Sequence, residues 1–159
     1  VLTYQTDVLA DDVTLSGNMW ANLKVAISGT DADFVVKVID VYPDSTKNTS
    51  FTTPKLQSNY QQMVRSEAMR GKYRNSTSKP EAFVPGKVTP VNFELQDIQH
   101  TFRKGHRLMV QVQSTWFPLI DRNPQQFINI MKAKPADFKK ETVKVYEGSE
   151  GSFLKVRVM

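Results

Sequence analysis

The chain has 159 residues and a formal net charge of +5 at pH 7. That length suits one domain, which can bury a core without metals or disulfides. Because the sequence contains no cysteine, it excludes disulfide scaffolds, thiolate metal sites and cysteine nucleophiles, and it leaves the compartment open.

The N-terminus and the apolar runs bear on targeting. No segment reaches the roughly 18 apolar residues of a membrane span. The N-terminal residues also lack the basic and apolar pattern of a signal peptide. A start at Val1, in a strand-like run without methionine, indicates a fragment whose signal, if it has one, lay upstream.

Two groups of basic residues raise the question of an anionic partner. The first group contains Arg65, Arg70, Lys72, Arg74 and Lys79, and the second contains Lys132, Lys134, Lys139, Lys140 and Lys144. Alternate side chains of a strand point to opposite faces, which would divide the first group. Neither group accompanies a nucleic-acid-binding motif. The favoured interpretation is a solvated surface, with neither nucleic acid nor membrane as a partner.

Alternating apolar residues predict β-strands through the first third of the chain. Met19 to Ile27 alternates with polar residues and ends at Gly29, which predicts a strand buried on one face. The next run, Phe34 to Tyr42, is apolar on both faces and predicts a strand that is covered on both sides. We expect Val35, Ile39 and Val41 to face outward and to form an interface strand, exposed in the lone chain and covered by another domain or subunit.

The remaining elements follow in chain order. Lys47 to Asn59 is a long polar loop whose role stays open. Tyr60 to Lys72 would also fit a helix, but its context favours a strand. Val91 to Leu95 alternates again, and Pro135 to Lys140 indicates a short helix with proline in its first turn. The last two runs, Thr142 to Tyr146 and Leu154 to Val158, are interpreted as a terminal hairpin.

About eight or nine antiparallel strands with little helix predict an all-β sandwich of jelly-roll type. The most informative stretch within it joins a strand to a polar loop. Leu108, Val110, Val112, Ser114 and Trp116 share one strand face in this alternation. Phe117-Pro118 then ends the ladder, since proline fixes φ and has no N–H. Asp121, Arg122 and Asn123 follow in a turn, and a loop of this kind usually contacts something.

This stretch, GHRLMVQVQSTWFPLIDRN, together with GTDADFVVKVIDVYPD and VLTYQTDVLADDVTLSG, carries a family resemblance. It resembles the C-terminal domain of X-Pro dipeptidyl-peptidases and of their cocaine-esterase-like, α-amino acid ester hydrolase and glutaryl-7-aminocephalosporanic acid acylase-like relatives. The resemblance runs from about Val1 to about Val145. It implies a jelly-roll, galactose-binding-like domain that packs on an upstream α/β-hydrolase domain, which holds the catalytic serine, acid and histidine. Peptidases, ester hydrolases and acylases are not separated, so the substrate of the parent stays open.

The residues of this chain predict no catalytic, metal or cofactor site. A G-x-S-x-G nucleophile elbow is missing, because the tip from Gly148 to Ser152 has its letters in another order. His100 and His106 are interpreted as local hydrogen-bonding residues of a hairpin, and Asp97 with His100 is too weak a signal for a metal site. The pairs Asp11-Asp12 and Asp31-Asp33 are interpreted as turn caps.

The resemblance implies an interdomain role for the loop after the long strand. We expect Trp116, Phe117, Leu119, Asp121, Arg122 and Asn123 to form a rim that docks on the hydrolase domain beside its active-site entrance. Two alternatives stay open for the rim. An internal salt bridge of Arg122 could pin the loop to its own sandwich, or the sandwich could be a carbohydrate-binding module. In the second case Trp20, Trp116, Phe117, Tyr42, Tyr60 and Tyr73 would supply stacking faces.

The resemblance leaves two further properties of the parent open. A homo-oligomer is compatible with it, but the sequence does not require one. A periplasmic or secreted location also fits, and so does the cytoplasm.

Overall fold

The computed structural model describes residues 1–47 and 57–159. Within these ranges the chain forms eight strands in two antiparallel sheets, which confirms the predicted all-β sandwich. The strands are β1 (Leu2–Gln5), β2 (Val13–Ile27), β3 (Asp33–Val41), β4 (Gln61–Arg70), β5 (Thr89–Phe102), β6 (Arg107–Gln113), β7 (Val143–Val145) and β8 (Phe153–Lys155). One sheet, called sheet A, has the order β1-β6-β3-β4, and sheet B has the order β5-β2-β7 with β8 also paired to β2.

The core lies between the inner faces of the two sheets. Alternation places Met19, Ala21, Leu23, Val25 and Ile27 of β2 in this core, as predicted. Phe34, Val36 and Val38 of β3 face them from sheet A. The β2–β5 pair runs from Val13 opposite Phe102 to Val25 opposite Thr89, with a bulge between Gly17 and Met19. This long pairing connects one end of the sandwich to the other.

The helical elements are short. Tyr60 to Lys72 forms strand β4 and then a 3₁₀ turn over Gly71–Tyr73, so the strand prediction is confirmed. Pro135 to Lys140 forms only a 3₁₀ turn over Pro135–Asp137, in which the Asp137 carboxylate accepts the Lys134 N–H at 2.7 Å. Another 3₁₀ turn covers Ile130–Lys132. Most of the predicted loop from Lys47 to Asn59, namely residues 48–56, lies outside the described residues. No helix in the described ranges has the length and apolar character needed to cross a membrane.

Strand β3 is buried on both faces, as its sequence predicts, but the expected exposure of its outer face is wrong. Val35, Ile39 and Val41 are 0%, 5% and 9% exposed in this chain alone. Ile39 and Val41 form a separate cluster with Met109 of β6. Val35 lies between Ala68 of β4 and Gln113 of β6. Because the chain buries these three side chains by itself, their assignment as an interface strand is not supported.

The predicted terminal hairpin is also wrong. β7 and β8 do not pair with each other, because both pair with the same edge of β2. β7 lies opposite Val25–Ile27, and β8 lies opposite Trp20–Asn22. Residues between them leave the sheet, and the Ser152 N–H closes this excursion on the Tyr146 carbonyl at 2.7 Å. The last residues continue along β2 as far as the Leu15–Val158 bridge. The two runs are one interrupted edge strand.

The prediction that alternate residues of β6 share one core face is confirmed only for the residues within the strand. Leu108, Val110 and Val112 pack on the core, but the strand ends at Gln113. Trp116 therefore does not continue the core face. It lies over Lys37, whose Nζ is 4.1 Å from the ring centroid. Since the neighbours Val36 and Val38 face the core, Lys37 and Trp116 lie on the outer face of sheet A.

Candidate functional site

The long connection after β6, residues 114–141, folds back over one end of the sandwich and is called the rim segment here. It is tied to the start of β3, to the end of β4 and to the β2–β3 turn. The Asp121 carboxylate accepts a hydrogen bond from the Arg70 guanidinium of β4. The Asn123 amide donates to Asp33 Oδ1 at 2.9 Å and is buried. Farther along, the Phe127 N–H donates to Thr30 Oγ1 at 2.8 Å. These contacts hold the segment in one position.

Buried charges lie beneath the rim segment. Asp31 and Asp33 are 0% and 2% exposed, next to the start of β3. Lys72 Nζ is 3.7 Å from Asp31 Oδ2, and Arg70 Nε is 3.6 Å from Asp33 Oδ1. Burial raises the pKa of Asp31, and it raises the pKa of Asp33 to about 6. Both carboxylates therefore pay a desolvation penalty that their cations only partly offset.

Gly29 and Glu141 form the closest contact between the rim segment and the β2–β3 turn. The Gly29 N–H donates to Glu141 Oε1 at 2.7 Å. A Cβ at Gly29 would lie 2.5 Å from the Gln125 carbonyl oxygen and 2.7 Å from Glu141 Oε1. Glycine is thus the residue that allows this approach. Burial raises the pKa of Glu141 to about 7. This carboxyl therefore changes its protonation state near neutral pH, and the change affects its hydrogen bond with Gly29.

The outer surface of the rim segment is apolar and cationic. Phe117, Leu119 and Met131 are 65%, 67% and 88% exposed. The Arg122 guanidinium lies 5.8 Å from the Phe117 ring centroid and 5.4 Å from that of Phe138. It therefore bridges two partly exposed rings within cation–π distance. We call Phe117, Leu119, Arg122 and Phe138 the rim face.

The structure divides the predicted rim residues into two groups. Phe117, Leu119 and Arg122 are exposed, whereas Asp121 and Asn123 anchor the loop to Arg70 and Asp33. Trp116 is partly buried against Lys37. An internal salt bridge pinning the loop does exist, but Asp121 makes it and Arg122 does not. Arg122 stays available on the surface.

Both histidines lie at the opposite end of β3 and share one buried carboxylate. His100 Nε2 is 2.9 Å from Asp40 Oδ2, and His106 Nδ1 is 2.7 Å from Asp40 Oδ1. Asp40 is 2% exposed. His100 lies within β5 of sheet B and not in a turn, so this cluster links the two sheets. The local interpretation of the histidines misses this partner, which is distant in sequence.

Three of the five residues in the first basic group are buried or partly buried, so the interpretation of the group as a solvated surface is wrong for them. The side chains of Arg70, Lys72 and Arg74 are 29%, 9% and 4% exposed. Arg74 lies over the Phe83 ring at 4.0 Å and donates to the Glu81 carbonyl at 2.8 Å. These cations balance buried acids and carbonyls at the rim end of the molecule.

Sequence reasoning missed the buried role of Asp31 and Asp33. Asp12 does cap a turn as predicted, since it accepts the Lys104 N–H at 2.7 Å and the Arg103 guanidinium at 2.9 Å. Asp31 and Asp33 differ because a doubly buried strand follows them directly. Their position next to that strand, with Arg70 and Lys72 at the end of the neighbouring strand, was the available signal.

The described residues contain no group of three or more histidine, aspartate or glutamate side chains that could hold a metal ion. The stacking aromatics proposed for a carbohydrate module do not share one face. Trp20 lies on β2 of sheet B, and Trp116 lies on the outer face of sheet A. Tyr42 and Tyr60 instead pack edge to face with ring centroids 5.7 Å apart. This arrangement gives no support to the carbohydrate alternative.

Comparison with known proteins identifies relatives over nearly the whole chain. The family model for the X-Pro dipeptidyl-peptidase C-terminal non-catalytic domain matches residues 1–144. Cocaine esterase from Rhodococcus sp. (strain MB1 Bresler) is 33% identical over 123 residues, which cover 77% of this chain and 19% of that protein. The chain thus spans about a fifth of this curated relative.

Solved structures give the same result. An aminopeptidase from a marine sediment archaeon, Thaumarchaeota archaeon, is 40% identical with a TM-score of 0.91, and the match covers 99% of this chain and 25% of that one. An α-amino acid ester hydrolase is 39% identical with the same TM-score and coverage. A CocE/NonD family hydrolase from Staphylococcus aureus shares the fold at 16% identity and a TM-score of 0.68, over 99% of this chain and 30% of that one.

Proposed function

This chain belongs to the family of X-Pro dipeptidyl-peptidase C-terminal non-catalytic domains, and we propose that its rim face packs against an α/β-hydrolase domain of the same polypeptide. In this proposal the hydrolase domain carries the catalytic serine, acid and histidine. The rim segment borders the entrance of that active site and supports its shape. The contribution of this chain is position and stability, and the chemistry belongs to the other domain.

One observation carries the proposal: the exposed rim face, which is apolar and cationic, belongs to a segment that Asn123 and Asp121 fix to the sandwich. Phe117 and Leu119 are about two-thirds exposed. Interfaces favour such aromatic and arginine side chains at their centres. Because Asn123 and Asp121 already fix the loop, little conformational entropy remains to be lost when it docks.

The relatives support a connection to a hydrolase. The matched region makes up between 19% and 30% of the aligned relatives, which are named as an esterase, an aminopeptidase and hydrolases. By this likeness, the parent would cleave an acyl bond in a peptide, an ester or a side-chain amide. The reaction would pass through an acyl-enzyme on a serine outside this chain. Which of these bonds is cleaved stays open.

The test uses the intact protein that contains this chain. Arg122→Ala and Phe117→Ala should each lower its thermal midpoint, because each removes a side chain from the centre of the contact. Below that temperature, labelling of the active-site serine by a fluorophosphonate probe should keep its normal rate. Arg157→Ala and Phe153→Ala are matched controls on exposed positions of the sheet B edge, and they should leave the midpoint unchanged.

Other results would contradict the proposal. If Arg122→Ala left the midpoint intact and abolished serine labelling, Arg122 would belong to the catalytic machinery. A coding sequence without an upstream G-x-S-x-G elbow would remove the proposed partner. If the isolated chain dimerised in light scattering, and Phe117→Ala made it monomeric, the rim face would join copies of this chain instead.

A further inference from the structure

A cavity of about 350 Å³ opens between the two sheets, at the side where strands β1 and β8 form the edges. It is separate from the rim face. Inner-face residues of both sheets line it, together with the excursion between β7 and β8: Tyr4, Ala21, Leu23, Val36, Val110, Val112, Val145, Glu147, Gly148, Ser152, Phe153 and Leu154. Ala21, Leu23 and Val36 are 1%, 5% and 1% exposed, so the cavity reaches the core.

The walls of this cavity are aliphatic. Unfilled space of this kind removes packing contacts from its lining and destabilises a domain. Apolar cavities of roughly 150 Å³ stay dry and take up small apolar molecules. Because the present cavity is larger and open at one side, it can admit the apolar part of a ligand without a conformational change.

Two oxygen groups, the Tyr4 hydroxyl and the Glu147 carboxylate, lie next to each other at the cavity. The Tyr4 hydroxyl is buried and has no hydrogen-bond partner. After burial, the interaction with the Glu147 carboxylate is the next cause that raises the pKa of Tyr4, so the two groups face each other without a hydrogen bond of normal geometry. None of the ion pairs found in residues 1–47 and 57–159 includes Glu147. The nearby Lys24 pairs with Glu150 at 4.0 Å instead. Unlike the Tyr4 hydroxyl, Ser152 is satisfied, because its hydroxyl accepts the Lys24 N–H at 2.9 Å.

From this arrangement we infer that the cavity binds a small aliphatic ammonium compound. The hydrocarbon part lies between Ala21, Val36 and Leu154, and the ammonium group donates to the Glu147 carboxylate and the Tyr4 hydroxyl. A carboxylate ligand would face the unpaired Glu147 charge, and an alcohol would gain only a neutral hydrogen bond. The inference does not depend on the proposed docking of the rim face.

The test measures binding of three probes with the same tail to the 159-residue chain. Titrations of hexylammonium, 1-hexanol and hexanoate are followed by amide chemical shifts in two-dimensional NMR. Hexylammonium should bind with a dissociation constant of about 1 mM, the value expected for seven heavy atoms in an apolar site. We expect 1-hexanol to bind about tenfold more weakly, since it lacks a charge-assisted hydrogen bond. Shifts should centre on Ala21, Val36 and Leu154.

Two variants separate the head group from the tail. Glu147→Gln should bring hexylammonium and 1-hexanol to within about twofold of each other, since the charge-assisted hydrogen bond is gone. Glu150→Gln is the matched control, because this exposed glutamate belongs to the same turn but does not line the cavity. It should retain the tenfold preference. Ala21→Leu should fill the cavity and weaken both probes by about tenfold or more.

The contrary outcomes are equally defined. Equal binding of all three probes, or a preference that survives Glu147→Gln, would overturn the ammonium assignment. Shifts that cluster away from the cavity, or the absence of saturable binding by any probe, would overturn the site itself. If Ala21→Leu fails to fold, the Glu147→Gln and Glu150→Gln pair and the shift map still decide the result.

Discussion

The two ends of strand β3 both carry buried carboxylates, but those carboxylates differ in how well they are satisfied. At one end, each oxygen of Asp40 has a histidine partner within 2.9 Å. At the other end, neither oxygen of Asp31 has a hydrogen-bond partner, and Lys72 is 3.7 Å away. Burial also raises the pKa of Asp33 to about 6 there. At the first end both carboxylate oxygens are hydrogen-bonded, whereas at the second end the burial of two carboxylates is only partly offset by their cations.

The docking role proposed for the rim segment would account for the difference. The Asp40 cluster joins β3 of sheet A to β5 of sheet B. The rim end supports an exposed surface on the segment from 114 to 141, which is held by the start of β3, the end of β4 and the β2–β3 turn. Incomplete satisfaction of buried polar groups is common where a surface is built for use and not for stability alone. The comparison predicts unequal responses to mutation.

The largest effect is expected at the satisfied end. Asp40→Asn leaves one acceptor where two histidine N–H groups need partners, and the site is 2% exposed. Loss of such a buried pair costs about 3 kcal/mol. Asp31→Asn should cost less, because burial already raises the pKa of Asp31, its carboxylate makes no hydrogen bond of normal geometry, and only its 3.7 Å ion pair with Lys72 is lost. Urea unfolding of the two variants measures the difference, and equal losses would contradict the comparison.

The sequence predicted the sandwich, the doubly buried β3 and the position of the rim loop, because alternation and proline report directly on local backbone structure. It could not predict the partners of buried polar residues. Asp40 meets His100 and His106 across 60 and 66 residues of sequence. The same limit explains the hairpin error, since alternation in β7 and β8 shows that they are strands but does not show that both pair with β2.

The second largest effect concerns the close approach at the rim end. Gly29→Ala would place a methyl group 2.5 Å from the Gln125 carbonyl oxygen. Such overpacking costs about 2 kcal/mol. Hydrogen exchange of the Phe127 N–H, bonded to Thr30 Oγ1, should speed up as the rim segment moves away. Gly151→Ala is the control, because its clash lies with Glu147 in its own loop. If Gly29→Ala lowered the stability without changing the exchange of the Phe127 N–H, Gly29 would not be needed to hold the rim segment in place.

A smaller effect concerns pH. Glu141 and Asp33 have pKa values raised to about 7 and about 6 by burial. The folded state therefore binds more protons than the unfolded state between about pH 4 and 7, so stability falls as pH rises through this window and levels off above it. Glu141→Gln should reduce the stability that is lost in the upper part of this pH window, by on the order of 1 kcal/mol once solvent screening is included. The exposed Glu150→Gln should leave the pH profile of chemical unfolding unchanged. A profile that rises from pH 5 to 7 in the parent chain would contradict the sign.

The smallest effect is expected on the rim face itself, in the isolated chain. Arg122 is exposed, and its guanidinium lies 5.8 and 5.4 Å from the centroids of the Phe117 and Phe138 rings. An exposed contact of this type contributes about 0.5 kcal/mol, or roughly 1 to 2 °C in the thermal midpoint of a chain of this size. Arg122→Ala should therefore be nearly neutral in the isolated chain, whereas Asn123→Ala should destabilise it by about 1 to 2 kcal/mol, since Asn123 is buried and bonded to Asp33. If Arg122→Ala were the more damaging of the two, the residue would be an anchor of the sandwich and the rim face would lose its central cation.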